Sequence, residues 1–509
     1  MKSSFIHGSF LLVLVNLILM FLDFSYNVFL SKLIGAEGMG LLQISMSILM
    51  VFLVLSSGGI STAVSKLIAE QSSKNIYATD RILKLTILLV LILSTIFSFV
   101  LIFFAPNIAI KVFKDEDMFI FIYFLVPATL IISISSILRG YFYGLKMITV
   151  PSISQIIEHV GRFAVVLGFL YYKAPITPAY GALVAIAGIS IGETFDLIWL
   201  SFMQRFMIDR KTYSVNSRIE GIRILKQILQ VSIPIGISNL LGVVLRFANS
   251  VLIPNRLIDA GYSNSEAIAT FGRITGMAMP MITLPFIVTS AMVINLIPNL
   301  SEQMALKNYR EVKNHILFSI KITLLFSIPL TGLYASFYEP IGIFLYEDLQ
   351  VSKYIYIMGF NTTFLALQHI FSGILHGLNR QITAAINRMI GMILQLLMIW
   401  FLVGNPKLGI NGFFIGFYLS GVTICILDFF ILKKMMKLYI DYWDLLLKPL
   451  IGTLCMIPII YISSGLLSHL YINEVLNFVL SLIVGALFYI FVLYVTKAIP
   501  KNISNRFHN

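Results

Sequence analysis

Charge is what this chain has least of. Only 12% of its 509 residues are Asp, Glu, Lys or Arg, against 58% hydrophobic, whereas a soluble domain is about one quarter charged. A core of this length cannot hide so much apolar surface from water, so the solvent is lipid. Cysteine is nearly missing too. Cys425 and Cys455 both fall inside apolar runs, which excludes a disulfide framework and a thiolate metal cluster. No G-x-x-x-x-G-K-[ST] loop is present, so nucleotide hydrolysis on this chain is not expected. His369 and His376, seven apart on one helix face, lack carboxylate company and make a poor metal set. We expect no metal and no cofactor. Long polar loops are lacking as well: the longest outer one is roughly "RLIDAGYSNSEAI" (256–268). That argues against a membrane-embedded glycosyltransferase or polymerase, and no enzyme is expected.

What is abundant is apolar sequence in runs. A crossing helix needs about 20 mostly apolar residues. Such runs centre near residues 20, 50, 93, 128, 162, 191, 242, 284, 326, 364, 392, 420, 457 and 485, which predicts fourteen spans. Lys2 followed by "FLLVLVNLILMFLDF" imitates a signal peptide. The run exceeds an h-region of about 7–15 residues and has no small-x-small cleavage site, so it reads as a first span.

The formal charge of +13 suits a cytoplasmic-face bias and an anionic partner. Nucleic acid is not expected, because the basic residues lie singly between apolar runs rather than along a groove. Loops after spans 2 and 6 hold Lys66, Lys74, Arg81 and Lys84, then Arg205, Arg210, Lys211, Arg218, Arg223 and Lys226. Later ones hold Lys307, Arg310 and Lys313, then Lys433, Lys434 and Lys437. Alternate loops hold little beyond Lys173, Lys353 and Lys407. The positive-inside rule then puts both termini in the cytoplasm.

The chain also repeats itself. "VNLILMFLDFSYNVFL" lines up with "ISNLLGVVLRFANSVL", and "LIAEQSSKN" (67–75) with "NLSEQMALKN" (299–308). "SILRGYFYGL" (136–145) resembles "GILHGLNRQI" (373–382), and Asp196 matches Asp428. The offset stays near 233 residues, apart from a smaller one at the start of each half. The expected architecture is an all-α integral membrane protein of two six-helix bundles related by a pseudo-twofold along the membrane normal, plus two C-terminal helices. The expected lobes are 1–205 and 227–437, joined by a cytoplasmic linker over 206–226 and followed by spans 13–14 and a tail over 438–509. Two like bundles enclosing a cavity describe a transporter.

Several stretches carry a family resemblance. "LIGAEGMGLLQ" (33–43), "GGISTAVSKLIAE" (58–70), "LRGYFYGLKMITVPSISQIIEHVGRF" (138–163) and "GRITGMAMPMITLP" with "NLIPNLSE" (272–302) resemble the stage V sporulation protein B family of polysaccharide transporters. Its superfamily also holds lipid II flippases and multidrug/toxin extruders. The resemblance spans the whole chain. It implies a flippase moving an undecaprenyl-pyrophosphate-linked saccharide to the outer leaflet, for peptidoglycan or spore-cortex assembly. Related flippases line their cavity with an acid in span 1 and arginines in spans 1 and 8. Asp23 and Arg273 fit that pattern, no arginine neighbours Asp23, and Arg246 stands at its repeat position.

Charge inside a span costs about 2.5–3.5 kcal/mol per residue even on lenient scales, so each such residue is a candidate. Glu158 and Arg162, four apart, share a helix face. They form either an internal ion pair or a donor fork for phosphate or sugar with Glu158 orienting it. Asp23, Arg246 and Arg273 would together leave a net positive site for a pyrophosphate; Arg273 has a snorkelling alternative. Lys321 and Arg388 begin their helices near the cytoplasm and share the snorkelling alternative, though Arg388 is deep enough to meet an incoming headgroup. Glu193, Asp196 and Asp428 either pair with basic residues at the cytoplasmic face or couple a proton or sodium ion. Pro234, Pro280, Pro285 and Pro329, with glycines nearby, mark hinge or packing points. Membrane potential or a proton or sodium gradient would drive transport. The expected partners are the lipid-linked anionic saccharide, membrane lipids and cell-wall synthesis proteins, with the chain itself a monomer. The competing reading is a cation-coupled multidrug/toxin extruder, against which the inward arginines and the two extra spans count.

Overall fold

In hydrocarbon every backbone N–H and C=O must find a partner within the protein, and a helix does this within one segment. The computed structural model describes residues 2–72, 76–207, 218–439, 441–469 and 473–498, and among them there are helices and no strand. Lys74, Arg210, Lys211, the middle of the 206–226 linker and the tail beyond 498 lie outside the described residues.

By contact density the chain divides into two compact units, 1–272 with 399–410 and 273–398 with 411–509. The first holds α1 (Lys2–Ser57), α2 (Ile60–Ser72), α3 (Ile76–Ile108), α4 (Met118–Gly144), α5 (Thr149–Lys173), α6 (Pro178–Met207), α7 (Arg218–Asp259) and α8 (Asn264–Gly272). In this unit α7 packs on α1 and α2 and α8 on α1, although both belong by sequence to the second repeat. The second unit holds α9 (Met279–Ile282), α10 (Phe286–Ala305), α11 (Tyr309–Ser336), α12 (Tyr338–Tyr346), α13 (Leu349–Gly359), α14 (Thr362–Gly377), α15 (Gln381–Met398), α16 (Asn411–Met436), α17 (Lys448–Ser468) and α18 (Glu474–Val495).

Eleven described helices are long and apolar enough to cross a membrane, or twelve if Asn264–Ile282 and Phe286–Ala305, bent by 59°, count as one span. Two of the fourteen expected runs do not stand as separate helices of that length. The runs near residues 20 and 50 are continuous helix in α1, whose roughly 84 Å at 1.5 Å per residue exceeds a hydrocarbon core of about 30 Å. Gly35 breaks it into legs 2–34 and 36–57 with φ 68° and ψ −179°, a conformation essentially confined to glycine. The run near 364 is divided between α13 and α14, each too short for the test.

Helices in lipid gain little from hiding apolar surface and associate through close packing of small residues. In the first unit Gly140 and Gly144 of α4 lie on Ser61 and Ser65 of α2. A Cβ on Gly140 would stand 2.5 Å from the Ser61 carbonyl oxygen. The Ser61 hydroxyl donates to the Ser136 carbonyl at 2.7 Å, and Ser56 and Ser133 share a hydrogen bond of 2.9 Å. The G-x-x-x-G of α6, Gly188 and Gly192, lies against Val166 and Arg162 of α5. This close approach positions the ionic site. In the second unit, α10, α11, α14 and α16 enclose a core around Leu300, Ile316, Phe371, Ile374 and Leu432. The two C-terminal helices dock on α11: Tyr489 donates to the Leu325 carbonyl at 2.9 Å. Lys321 of α11 and Lys448 of α17 both engage Asp444.

Candidate functional site

Four helices of the first unit bring seven titratable side chains into one network. Arg139 of α4 is at its centre, where its guanidinium lies 3.8 Å from Glu158, 3.5 Å from Glu193 and 3.7 Å from Asp196. Glu158, on α5, also faces Arg162 one turn later at 3.6 Å. Arg162 in turn reaches Asp23 of α1, Nη2 to Oδ1 at 3.1 Å. The Asp23 oxygen is shared, since His159 Nε2 lies 3.1 Å from it. His159 Nδ1 faces the Gln155 carbonyl oxygen at 2.8 Å. Both ring nitrogens thus face oxygen atoms. The guanidinium of Arg162 also sits 5.3 Å from the centre of the Tyr26 ring, within cation–π range.

Burial grades across this network. The Asp196 side chain is 0% exposed, Arg139 and Arg162 are 15% exposed, and Asp23 is 48% exposed. Asp23 is therefore its accessible end, and Glu193 and Asp196 its closed end. Neither Asp196 oxygen has a hydrogen-bond partner, so its compensation is the longer contact with Arg139. Four carboxyl groups against two guanidinium groups and one imidazole make the network acid-rich. Glu158 and Arg162 pair as expected, and Glu193 and Asp196 meet an arginine, but it is Arg139 inside the bundle rather than a base at the cytoplasmic face.

Arg246 lies exposed on α7, in the same unit. Arg273 belongs to the second unit, where its Nε meets Asp348 at 2.7 Å. That aspartate also caps α13, its other oxygen accepting from the backbone N–H groups of Gln350 and Val351. Arg273 thereby ties its own segment to a helix start. Asp428, buried on α16, accepts from the Asn387 amide at 2.7 Å. Arg388 is exposed on α15 and donates to the Ser372 hydroxyl at 3.3 Å.

Arg139 and His159 were not singled out from the sequence as site residues. A signal for Arg139 was there. It is a lone arginine in span 4, far from any acid of its own helix, so its partners had to come from other helices.

The model of the polysaccharide biosynthesis protein family matches residues 5–304, more than half of the chain. The chain belongs to that family. The MatE model matches residues 231–401. Among relatives of this polysaccharide biosynthesis protein is the stage V sporulation protein B of Bacillus subtilis (strain 168), 26% identical over 506 residues. That match covers 98% of this chain and 97% of the relative. The lipid II flippase MurJ of the same organism is 24% identical over 422 residues, 78% of this chain and 77% of that one. Among solved structures, a lipid II flippase MurJ in an inward closed conformation superposes with a TM-score of 0.69 at 18% identity. It covers 95% of this chain and 98% of that chain. An inward-facing multidrug resistance MATE family transporter reaches 0.66 at 16% identity, covering 82% of this chain. The chain is a multi-pass, all-helical membrane protein of this transporter fold.

Proposed function

We propose that the protein is a flippase that moves an undecaprenyl-pyrophosphate-linked saccharide, a peptidoglycan or spore-cortex precursor, from the inner to the outer leaflet. The observation that carries this reading is the extent of the likeness. Stage V sporulation protein B matches end to end, and the flippase fold covers 95% of this chain against 82% for the multidrug transporter. Substrate binding is assigned to Asp23, Glu158, Arg162, Arg246, Arg273 and Arg388. The repeat halves 1–205 and 227–437 are the alternating lobes of fourteen crossings in all, linked by 206–226, with the segment 438–509 added. Both termini face the cytoplasm of a bacterial cell. The working unit is a monomer that serves cell-wall synthesis proteins.

Membrane potential supports the direction of transport. Two negative charges leaving a cell interior at −100 mV gain about 4–5 kcal/mol. Proton or sodium entry through Glu193, Asp196 and Asp428 is the other source. The acid surplus around Arg139 favours a cation, and so it keeps a cation-coupled multidrug extruder as the second reading.

The test is a proteoliposome assay in which fluorescent lipid II becomes accessible to an outside quencher, run beside export of an organic cation. Lipid II movement in the native protein and its loss in Arg162→Ala support the flippase. Cation export without lipid II movement sinks it.

A further inference from the structure

The second unit carries a cluster of opposite character to the first. On α14, His369, Ser372 and His376 fall at i, i+3 and i+7 and so share one helix face. Arg388 of α15 lies over that face and donates to the Ser372 hydroxyl at 3.3 Å. His369 is fixed by two contacts from α10: Thr289 Oγ1 lies 2.7 Å from its Nδ1, and the Phe286 ring stacks on the imidazole at 4.6 Å and 15°. With Nδ1 engaged, Nε2 is the nitrogen left for a ligand.

Acids are scarce at this place. Among the described residues no carboxylate comes within ion-pair distance of Arg388. Asp428 is buried on α16 and accepts from Asn387 at 2.7 Å. Thus an exposed guanidinium, two imidazoles and a hydroxyl converge from two helices, with the nearby acid already occupied. A guanidinium fork and neutral or charged imidazoles are the donors a tetrahedral oxyanion accepts in place of its hydration shell. A cation site would need the reverse composition.

We propose that Arg388, His376, Ser372 and the Nε2 of His369 form a phosphoanion site that takes the pyrophosphate of a polyprenyl-linked substrate. Thr289 and Phe286 are positioning residues for His369. The proposal rests on the flippase reading and names the part of the second unit that holds the headgroup.

Binding to the purified full-length protein tests it, with lipid II, undecaprenyl phosphate, inorganic pyrophosphate and phosphatidylglycerol as separate probes. Arg388→Ala and His376→Gln should weaken lipid II and inorganic pyrophosphate by about 10- to 100-fold, the range for one charge-assisted hydrogen bond. Arg388→Lys should recover part of the loss, and Thr289→Val should weaken both probes less than Arg388→Ala does. Unfolding midpoints equal to the native protein's exclude a folding defect. Should Arg388→Ala fail to fold, His376→Gln and Thr289→Val carry the test. Unchanged lipid II affinity in folded variants overturns this site and leaves the flippase reading standing. Loss of phosphatidylglycerol by the same factor also overturns it, making the site one for bulk lipid headgroups. Arg388-dependent binding of inorganic pyrophosphate by a protein that does not bind lipid II supports the site and refutes the flippase reading.

Discussion

Replacing Arg139 by Gln removes the one cation that, among the described residues, lies within ion-pair distance of Glu158, Glu193 and Asp196 together. At an effective dielectric constant of about 20, unit charges roughly 3.7 Å apart attract by about 4–5 kcal/mol. Desolvation consumes much of that in the native protein. It is not recovered when one partner is cut away, and breaking a buried ion pair costs about 3–5 kcal/mol. Arg162 and His159 remain, but they serve Asp23 and the near oxygens of Glu158, not Asp196. The expected loss is therefore about 3–5 kcal/mol, read by equilibrium unfolding in mixed micelles. Adding Asp196→Asn removes one stranded charge and should restore about 1–3 kcal/mol, so the two substitutions will not add. Lys84→Ala is the control: its pair with Asp80 is 2.7 Å long but the lysine is 72% exposed, and its loss should stay below about 1 kcal/mol. A loss for Arg139→Gln no larger than for Lys84→Ala refutes the view that this network is a costly buried charge system.

Three further outcomes are expected. Gly140→Ala gains about 1 kcal/mol of helix propensity, but its Cβ meets the Ser61 carbonyl oxygen at 2.5 Å. Backbone cannot yield cheaply, so a net loss of about 1–3 kcal/mol should appear in the same unfolding assay. At Gly35 a Cβ meets nothing within 4 Å, and the cost of Gly35→Ala should be backbone strain alone, about 1–3 kcal/mol; an unchanged stability would show that alanine relieves the break rather than holding it. Asp444→Asn strips Lys321 and Lys448 of their shared carboxylate, and limited proteolysis should then cut near 440–447 faster, with cleavage elsewhere unchanged.

Composition and periodicity suffice for the helical class, because lipid leaves the backbone few alternatives. The sequence repeat pairs Asp196 with Asp428, and both are buried. The number of crossings is not, since an apolar run looks alike whether a helix turns at a loop or at a single residue such as Gly35. The candidate site divides the same way. Glu158 and Arg162 show their pairing by spacing along one helix. Arg139 meets its three acids across helix boundaries, and such contacts are set by Gly188 and Gly192 letting α5 and α6 approach. Lone histidines at 369 and 376 read as packing until Arg388 is seen beside them.

The sequence repeat sets Arg139 opposite His376, as Asp196 stands opposite Asp428. At the first of these positions an arginine is ringed by acids. At the second a histidine shares its surroundings with another base. Positions matched by the sequence repeat thus differ in the polarity of their surroundings. The two halves have ceased to be interchangeable parts. A chimera assembled from two first halves would carry the acid-rich network twice and no counterpart of the Arg388, His369 and His376 cluster.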